Sequence, residues 1–143
     1  MSQTLIWHLI RDNNSFMVKR ERTSRSGAVQ FSSEPGNLLN AHCFKYSGVA
    51  NNNAIDISSD LSIRTKNCKN SNKPSKTYNA AENLTVFPSK AIAKAVATAN
   101  ATRPDLLSAA VRRTVKVVNG ARVARGVKKN KNVKVVKSRS ARK

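Results

Sequence analysis

The chain has 143 residues, of which 27 are Lys or Arg and 7 are Asp or Glu, so its formal net charge is +20 at pH 7. Hydrophobic residues make up 39% of the chain, which is below the roughly 45–50% of an average globular domain and supports one modest core. No apolar run approaches the roughly 18 residues of a membrane-spanning helix, and two cysteines are too few for a disulfide scaffold. Because the N-terminus also lacks the pattern of a signal peptide, we do not expect secretion.

The positive charge is concentrated in the second part of the chain. Residues 1–60 carry 6 basic and 5 acidic side chains, whereas residues 61–143 carry 21 basic and 2 acidic ones. Five of the seven aromatic residues, in contrast, lie within the first 46 residues. The first part therefore has the composition of a core with ordinary surface charge, and the second part that of a segment that binds a polyanion.

Short strands and turns are predicted for the first 46 residues. Residues 4–11 are mostly apolar and are predicted to form a buried strand. A polar turn separates them from residues 15–20, so the two runs are predicted to pair as a β-hairpin. A loop is predicted over 21–30, a Pro-Gly turn over 34–37 and a third strand over 43–46.

A second hairpin is predicted near the middle of the chain. Residues 55–57 and 61–63 each alternate apolar and polar side chains, and a polar turn at 58–60 separates them. Residues 64–79 contain five basic side chains and are predicted to form an exposed basic loop.

The apolar period then changes to that of a helix. Ser89 follows a proline and is placed to cap a helix that should end near Asn100. Its expected apolar stripe comprises Ile92, Val96 and Ala99. A second helix is predicted from Pro104, a residue favoured in the first turn, to a stop at Asn119-Gly120.

The second predicted helix has its own apolar stripe, and a basic segment follows it. The stripe comprises Leu107, Ala110, Val111, Thr114 and Val118. Residues 121–143 hold 10 basic side chains, no acidic one and no aromatic one, so we predict a tail that is disordered until it binds a partner. The predicted fold is α+β: a small antiparallel β-sheet followed by two helices in one domain over 1–120, with a basic extended C-terminal tail over 121–143.

No group of side chains in the sequence is typical of an enzyme or a metal site. The seven acidic residues are scattered, and neither a Gly-rich phosphate loop nor a nucleophile motif is present. The two histidines and two cysteines lack the paired spacing of zinc ligands. We therefore expect a non-enzymatic protein without cofactor, metal or small-molecule substrate.

Nucleic-acid binding is the function that the charge pattern favours. Binding to a polyanion relieves the repulsion among uncompensated cations and releases counterions. A mixed domain with a basic tail suits folded RNA, and Tyr78 and Phe87 are more readily explained as packing residues than as base-stacking ones. The candidate RNA-binding residues are Lys19, Arg20, Arg22, Arg25, Lys45, Arg64, Lys66, Lys69, Lys73, Lys76, Arg103, Arg112, Arg113, Lys116, Arg122, Arg125, Lys128, Lys129, Lys131, Lys134, Lys137 and Arg139.

Four segments of the sequence carry a family resemblance. They are WHLIRDNNSFMVKR (7–20), FSSEPGNL (31–38), FKYSG (44–48) and TRPDLLSAAVRR (102–113). In this order they resemble the eukaryotic family of large-subunit ribosomal protein twenty-eight, not the bacterial protein that shares the number. The resemblance implies a non-catalytic constituent of the cytosolic large ribosomal subunit with nucleolar transit during assembly. It implies ribosomal RNA and neighbouring ribosomal proteins as partners, and no membrane.

Roles for individual residues follow from this hypothesis. Trp7, Phe16 and Phe44 are expected to lie in the core of the sheet. Arg103, Arg112 and Arg113 are expected to determine specificity among RNA fragments, and the tail to add affinity.

Three alternative functions remain open from the sequence. A nucleolar ribosome-assembly factor shares the resemblance of the N-terminal domain. A DNA-compacting basic protein and a membrane-active cationic protein would have similar charge, although the latter needs an amphipathic basic helix that the tail lacks.

Overall fold

The computed structural model of the chain describes residues 2–70 and 73–126. Over these residues, three helices combine with two small antiparallel sheets, which confirms the α+β class and adds one helix to the two expected. The helices are α1 (Gln3–Ile10), α2 (Pro88–Thr102) and α3 (Leu107–Ala124). The strands are β1 (Met17–Arg20), β2 (Val29–Ser32), β3 (Ala54–Ile57), β4 (Ser62–Lys66) and β5 (Glu82–Asn83). Single 3₁₀ turns occupy Phe44–Tyr46, Cys68–Asn70, Pro74–Lys76 and Pro104–Leu106.

The predicted N-terminal strand is wrong, because this segment forms helix α1. Apolar side chains within residues 5–10 recur three and four positions apart, and a short apolar run does not distinguish a strand from a helix. α1 has no buried residue. Trp7 is half-buried against the rings of His42 and Phe44, with centroids 5.1 and 6.1 Å away. Trp7 and Phe44 thus pack beside the core and not within it.

The first sheet pairs β1 with a strand that follows it. Met17 lies opposite Ser32 and Arg20 opposite Val29, so the hairpin connection is the basic loop after β1 and not the turn before it. Phe16, expected in the core, is 39% exposed. The predicted third strand at 43–46 is also wrong, because the chain there forms a 3₁₀ turn.

The second sheet forms one side of the core. β3 and β4 form the predicted hairpin, with Ile57 opposite Ile63, and β5 extends the sheet beside β4. Ile55, Ile57 and Ile63 are fully or almost fully buried. β4 continues to Lys66, so the first three residues of the predicted basic loop over 64–79 belong to the sheet, and two 3₁₀ turns lie in the described part of the rest.

Helices α2 and α3 form the other side of the core. Their buried faces are rich in alanine, which allows the two helix backbones to approach closely. On α2 the buried residues are Ala91, Ala95 and Ala99, and on α3 they are Ala109, Ala110, Thr114 and Val118. Ile92 and Val96, expected in the α2 stripe, are only half-buried because the alanines face the core.

The ends of the two long helices differ from the prediction. α2 begins at Pro88 with Phe87 as its N-cap, and no side-chain hydrogen bond caps it. α3 continues through Gly120 to Ala124, and the chain turns at Gly126, whose φ is +72°. Glycine lowers helix stability but does not end a helix unless the chain adopts a left-handed conformation there. The predicted tail lies outside the described residues from residue 127 onward.

A buried carboxylate holds the long connection between β2 and β3. Glu34 accepts hydrogen bonds from Asn37 Nδ2 and Ser47 Oγ, both at 3.1 Å. The predicted turn over 34–37 is present, and Gly36 adopts a φ of +80° within it. Gly48 packs against this turn so closely that an added Cβ would lie 2.0 Å from the carbonyl oxygen of Pro35.

Candidate nucleic-acid interface

The cations predicted to bind RNA divide into two classes in the structure. Four of them, Arg64, Lys66, Arg103 and Arg113, are half-buried and use their charged groups to contact other parts of the protein. The other described candidates are exposed, or half-exposed in the case of Arg122, and among them Lys19 and Arg20 also make hydrogen bonds within the N-terminal part of the chain. The sequence does not separate these classes, because both contain the same residue types.

Lys66 lies at the end of β4 and is directed toward the loop that precedes β3. Its Nζ donates hydrogen bonds to the carbonyl oxygens of Gly48, Val49 and Asn51 at 2.8, 3.1 and 2.8 Å. Burial lowers the pKa of Lys66, and the charge of Glu34 partly opposes this shift. The ammonium group therefore cross-links a loop to the second sheet.

Arg64, also on β4, forms an ion pair with Asp56 on the adjacent strand. Its guanidinium lies 5.6 Å from the centre of the Tyr78 ring, within the range of a cation–π contact. The Tyr78 hydroxyl donates a hydrogen bond to the Pro35 carbonyl at 3.0 Å. Burial is the main cause that raises the pKa of Tyr78 to about 12.

Arg103 connects the α2–α3 junction to two loops. Its side chain is 15% exposed, and its guanidinium pairs with Asp105 at 2.6 Å. It also donates to the carbonyl oxygens of Lys45 and Asn53, at 3.1 and 3.3 Å. Hydrogen bonding to Arg103 is the main cause that lowers the pKa of Asp105.

Arg113 makes a similar connection from the middle of α3. Its Nε donates a hydrogen bond to the carbonyl oxygen of Ile57 at 3.2 Å, which ties α3 to the end of β3. Its neighbour Arg112 is exposed, and no hydrogen bond or ion pair to its guanidinium is found within residues 2–70 and 73–126. Adjacent arginines on one helix therefore have different environments.

The first sheet presents a cluster of exposed cations, the hairpin cluster. It comprises Lys19, Arg20, Arg22 and Arg25. Lys19 Nζ donates to the carbonyl oxygen of Asp12 at 2.7 Å, and Arg20 reaches Ser26 Oγ at 3.5 Å. Hydrogen bonds between Thr23 and Ser26 shape the loop, and a concave surface of about 390 Å³ lies within it, lined in part by Arg22 and Arg25.

Exposed cations also follow α3 and the turns after β4. Arg112 and Lys116 are four residues apart and share an exposed face of α3. The other exposed or half-exposed candidates are Lys45, Lys69, Lys73, Lys76, Arg122 and Arg125. The candidates Lys128, Lys129, Lys131, Lys134, Lys137 and Arg139 lie outside the described residues.

Two features of this surface were not predicted from the sequence. α2 presents the exposed Lys90, whereas Lys94 pairs with Glu82 at 3.0 Å. Both lysines lie outside the apolar stripe of the helix, and this position in the sequence could have identified them as surface cations. Phe87, expected to pack in the core or against a helix, is 69% exposed.

The structure adds three observations on other kinds of site. Among the residues it describes, no group of three or more His, Cys, Asp or Glu side chains could hold a metal ion. Over the same ranges, no helix is both long enough and apolar enough to span a bilayer. Cys43 is a free thiol of intermediate exposure.

Comparison with known proteins identifies the family. Large ribosomal subunit protein eL28 of Schizosaccharomyces pombe is 36% identical over 83 residues, which cover 54% of this chain and 60% of that protein. The protein of the same name from Caenorhabditis elegans is 42% identical over 72 residues, which cover 48% of this chain and 54% of that protein. The chain thus spans just over half the length of these two relatives.

A third relative matches over a longer range. Large ribosomal subunit protein eL28 of Dictyostelium discoideum is 31% identical over 138 residues, which cover 91% of this chain and 100% of that protein. The profile of the ribosomal L28e protein family matches residues 5–120, which include both sheets and most of α3. This chain belongs to the ribosomal L28e protein family.

Proposed function

We propose that this protein is a structural constituent of the large subunit of the cytosolic ribosome and binds ribosomal RNA through phosphate and shape contacts. The names of its relatives support the location in the large subunit. The exposed cations carry the proposal of RNA binding. Within the described residues, no hydrogen bond or ion pair is found to the charged groups of Arg22, Arg25, Arg112 and Lys116.

Two surfaces are suited to bind phosphate directly. The hairpin cluster places arginines on a concave loop, where a guanidinium can grip a phosphate with two parallel hydrogen bonds. Arg112 and Lys116 present two cations on one rigid helix face. A rigid arrangement of cations favours RNA of matching shape, whereas isolated cations bind any phosphate backbone.

The cations that contact the protein interior act by positioning. Arg103 and Arg113 hold the loops and β3 against the helices, and so maintain the geometry from which Arg112 reaches outward. Residues 127–143 carry eight further basic side chains and no acidic one, which adds phosphate contacts to those of the domain.

Sedimentation of a cell lysate through a sucrose gradient tests this proposal. The protein is expected to migrate with free large subunits, whole ribosomes and polysomes. Digestion with RNase, but not with DNase, should release it from these particles. Confinement to nuclear pre-ribosomal particles would contradict the proposal and favour an assembly factor, and sensitivity to DNase alone would favour a DNA-compacting protein.

A further inference from the structure

A groove on the surface lies where the β3–β4 turn, the start of α2 and the end of α3 meet. Its volume is about 770 Å³, within the range of about 300–1,000 Å³ that is usual for ligand sites. Leu61 and Leu84 form apolar parts of its wall, and both are buried. Phe87, Arg122 and Arg125 also line it. We call it the Phe87 groove.

Phe87 is the most unusual residue of this groove. It is 69% exposed, which is the largest exposed fraction among the large hydrophobic residues of the described part of the chain. It lies directly before Pro88, at the first turn of α2, so the backbone that carries the ring is part of a helix start. An exposed aromatic ring on a fixed backbone offers a flat surface on which a planar group can stack.

Two cations lie at the same groove. Arg122 belongs to the last turn of α3, and Arg125 is the residue that follows the helix. No hydrogen bond or ion pair to either guanidinium is found within the described ranges. The groove therefore combines an exposed ring, apolar walls and two cations that are available to an anion.

This combination matches the chemistry of an unpaired nucleotide. A base offers a flat aromatic face, and its phosphate offers the negative charge that guanidinium groups bind. The chain's own segment after residue 126 is a weaker candidate, because its eight basic side chains would be repelled by Arg122 and Arg125. We propose that the Phe87 groove binds a single unpaired nucleotide of RNA, with its base stacked on Phe87 and its phosphate held by Arg122 and Arg125. This inference rests on the proposed function and adds to it a site that recognises an unstacked base.

Asp60 is the acidic residue of the groove, and it restricts how the nucleotide can lie. Its carboxylate accepts hydrogen bonds from the hydroxyls of Ser58 and Ser59, at 3.3 and 3.4 Å. A carboxylate repels phosphate and accepts hydrogen bonds from the N–H groups of a base edge. A phosphate is therefore expected beside Arg122 and Arg125 and away from Asp60, which suits the edge of a base.

The test compares RNA duplexes that differ only in one bulged position. Three duplexes are titrated with the full chain: one without a bulge, one with a single bulged adenosine, and one with an abasic nucleotide at the bulge. Phe87→Ala is expected to weaken binding of the adenosine-bulged duplex by about tenfold, because the stacking surface is removed. Its effect on the unbulged and abasic duplexes should stay within about twofold, since neither offers an unpaired base.

The control is Leu9→Ala, which removes another exposed apolar side chain, 68% exposed and on helix α1. It should leave all three affinities within about twofold of the wild-type values. Replacement of Arg122 and Arg125 by alanine should lower the log–log salt slope by about 0.7–0.9 for each phosphate that is no longer neutralised, whereas Phe87→Ala should leave the slope unchanged. Thermal melts verify that each variant is folded.

The outcomes separate this inference from the proposed function. If the wild-type chain binds none of the duplexes, the RNA-binding part of the proposed function fails. If it binds all three and Phe87→Ala changes none of the affinities, the groove inference fails and the proposed function stands. Loss of incorporation into large subunits by Phe87→Ala, with unchanged RNA affinities, would assign the groove to a protein partner and overturn the inference.

Discussion

Replacement of Arg103 by alanine is expected to lower the free energy of unfolding by about 3 kcal/mol. The guanidinium donates hydrogen bonds to the carbonyl oxygens of Lys45 and Asn53, which lie in loops 58 and 50 residues earlier in the sequence. Each hydrogen bond from a charged donor contributes about 1.5 kcal/mol at the low end of the usual range, which applies here because water can reach these carbonyls. The pair with the exposed Asp105 adds at most about 0.5 kcal/mol.

Thermal and urea denaturation of the full chain, followed by circular dichroism, measure this decrease. For a domain of this size about 3 kcal/mol corresponds to a decrease in Tm of roughly 10–15 °C. Arg103→Lys should recover only part of the stability, because the contacts of Arg103 are made by three separate guanidinium nitrogens, which one ammonium position does not replace.

Arg112→Ala is the matched control, since Arg112 is an exposed arginine nearby in sequence on α3. It should change the free energy of unfolding by less than about 0.5 kcal/mol. It should, however, lower the salt slope of RNA binding by about 0.9, because one phosphate is no longer neutralised. The reasoning is refuted if Arg103→Ala melts like the wild type while its RNA affinity falls, because Arg103 would then bind RNA directly.

Three further predictions concern other parts of the chain. Gly48→Ala should lower the free energy of unfolding by more than about 2 kcal/mol in denaturant titrations, because the new Cβ would lie 2.0 Å from the Pro35 carbonyl oxygen. The control Gly27→Ala, whose Cβ would have no atom within 4 Å, should change the free energy of unfolding little. The folded-state pKa of Tyr78 is raised to about 12 from 10.0, so the folded state holds this proton more tightly and stability decreases as pH rises between these values. Tyr78→Phe should lack that decrease, which thermal melts above about pH 10 would measure. If both proteins lose stability in parallel over this range, the raised pKa of Tyr78 is not the cause. Deletion of residues 127–143 removes eight basic side chains and should lower the log–log salt slope of RNA binding by roughly 3, if about half of them bind phosphate, whereas an unchanged slope would argue against any such binding.

The parts of the fold that the sequence predicts are those with local signals. The hairpin of β3 and β4 is read from alternating side chains around a polar turn, and α2 and α3 from an apolar period near 3.6. The N-terminal segment lacks such a signal, because the apolar run over 5–10 is compatible with both a strand and a helix. The partner of β1 could not be identified from local patterns either, since it lies beyond a loop over 21–28.

The roles of individual cations depend on contacts that are distant in sequence. Arg103 binds carbonyl oxygens that lie 50 and 58 residues before it, and Arg113 binds one that lies 56 residues before it. Backbone carbonyls belong to every residue type and leave no trace in the sequence. Composition therefore predicts that many basic side chains are exposed to solvent. Which of them are exposed, and which contact the protein, depends on the three-dimensional packing.

The alanine faces of α2 and α3 have a consequence for the abundance of the free chain. Seven of the fifteen buried apolar residues within the described ranges are alanine, and each alanine removes less apolar surface from water than a leucine or isoleucine would. A net charge of +20 and such a core both lower the stability that is expected of the free chain. A polyanion that binds only the native state raises that stability by mass action. Under the proposed function, copies that have not bound RNA are expected to be the ones that unfold and are degraded by proteases, so the supply of RNA sites would set how much protein persists.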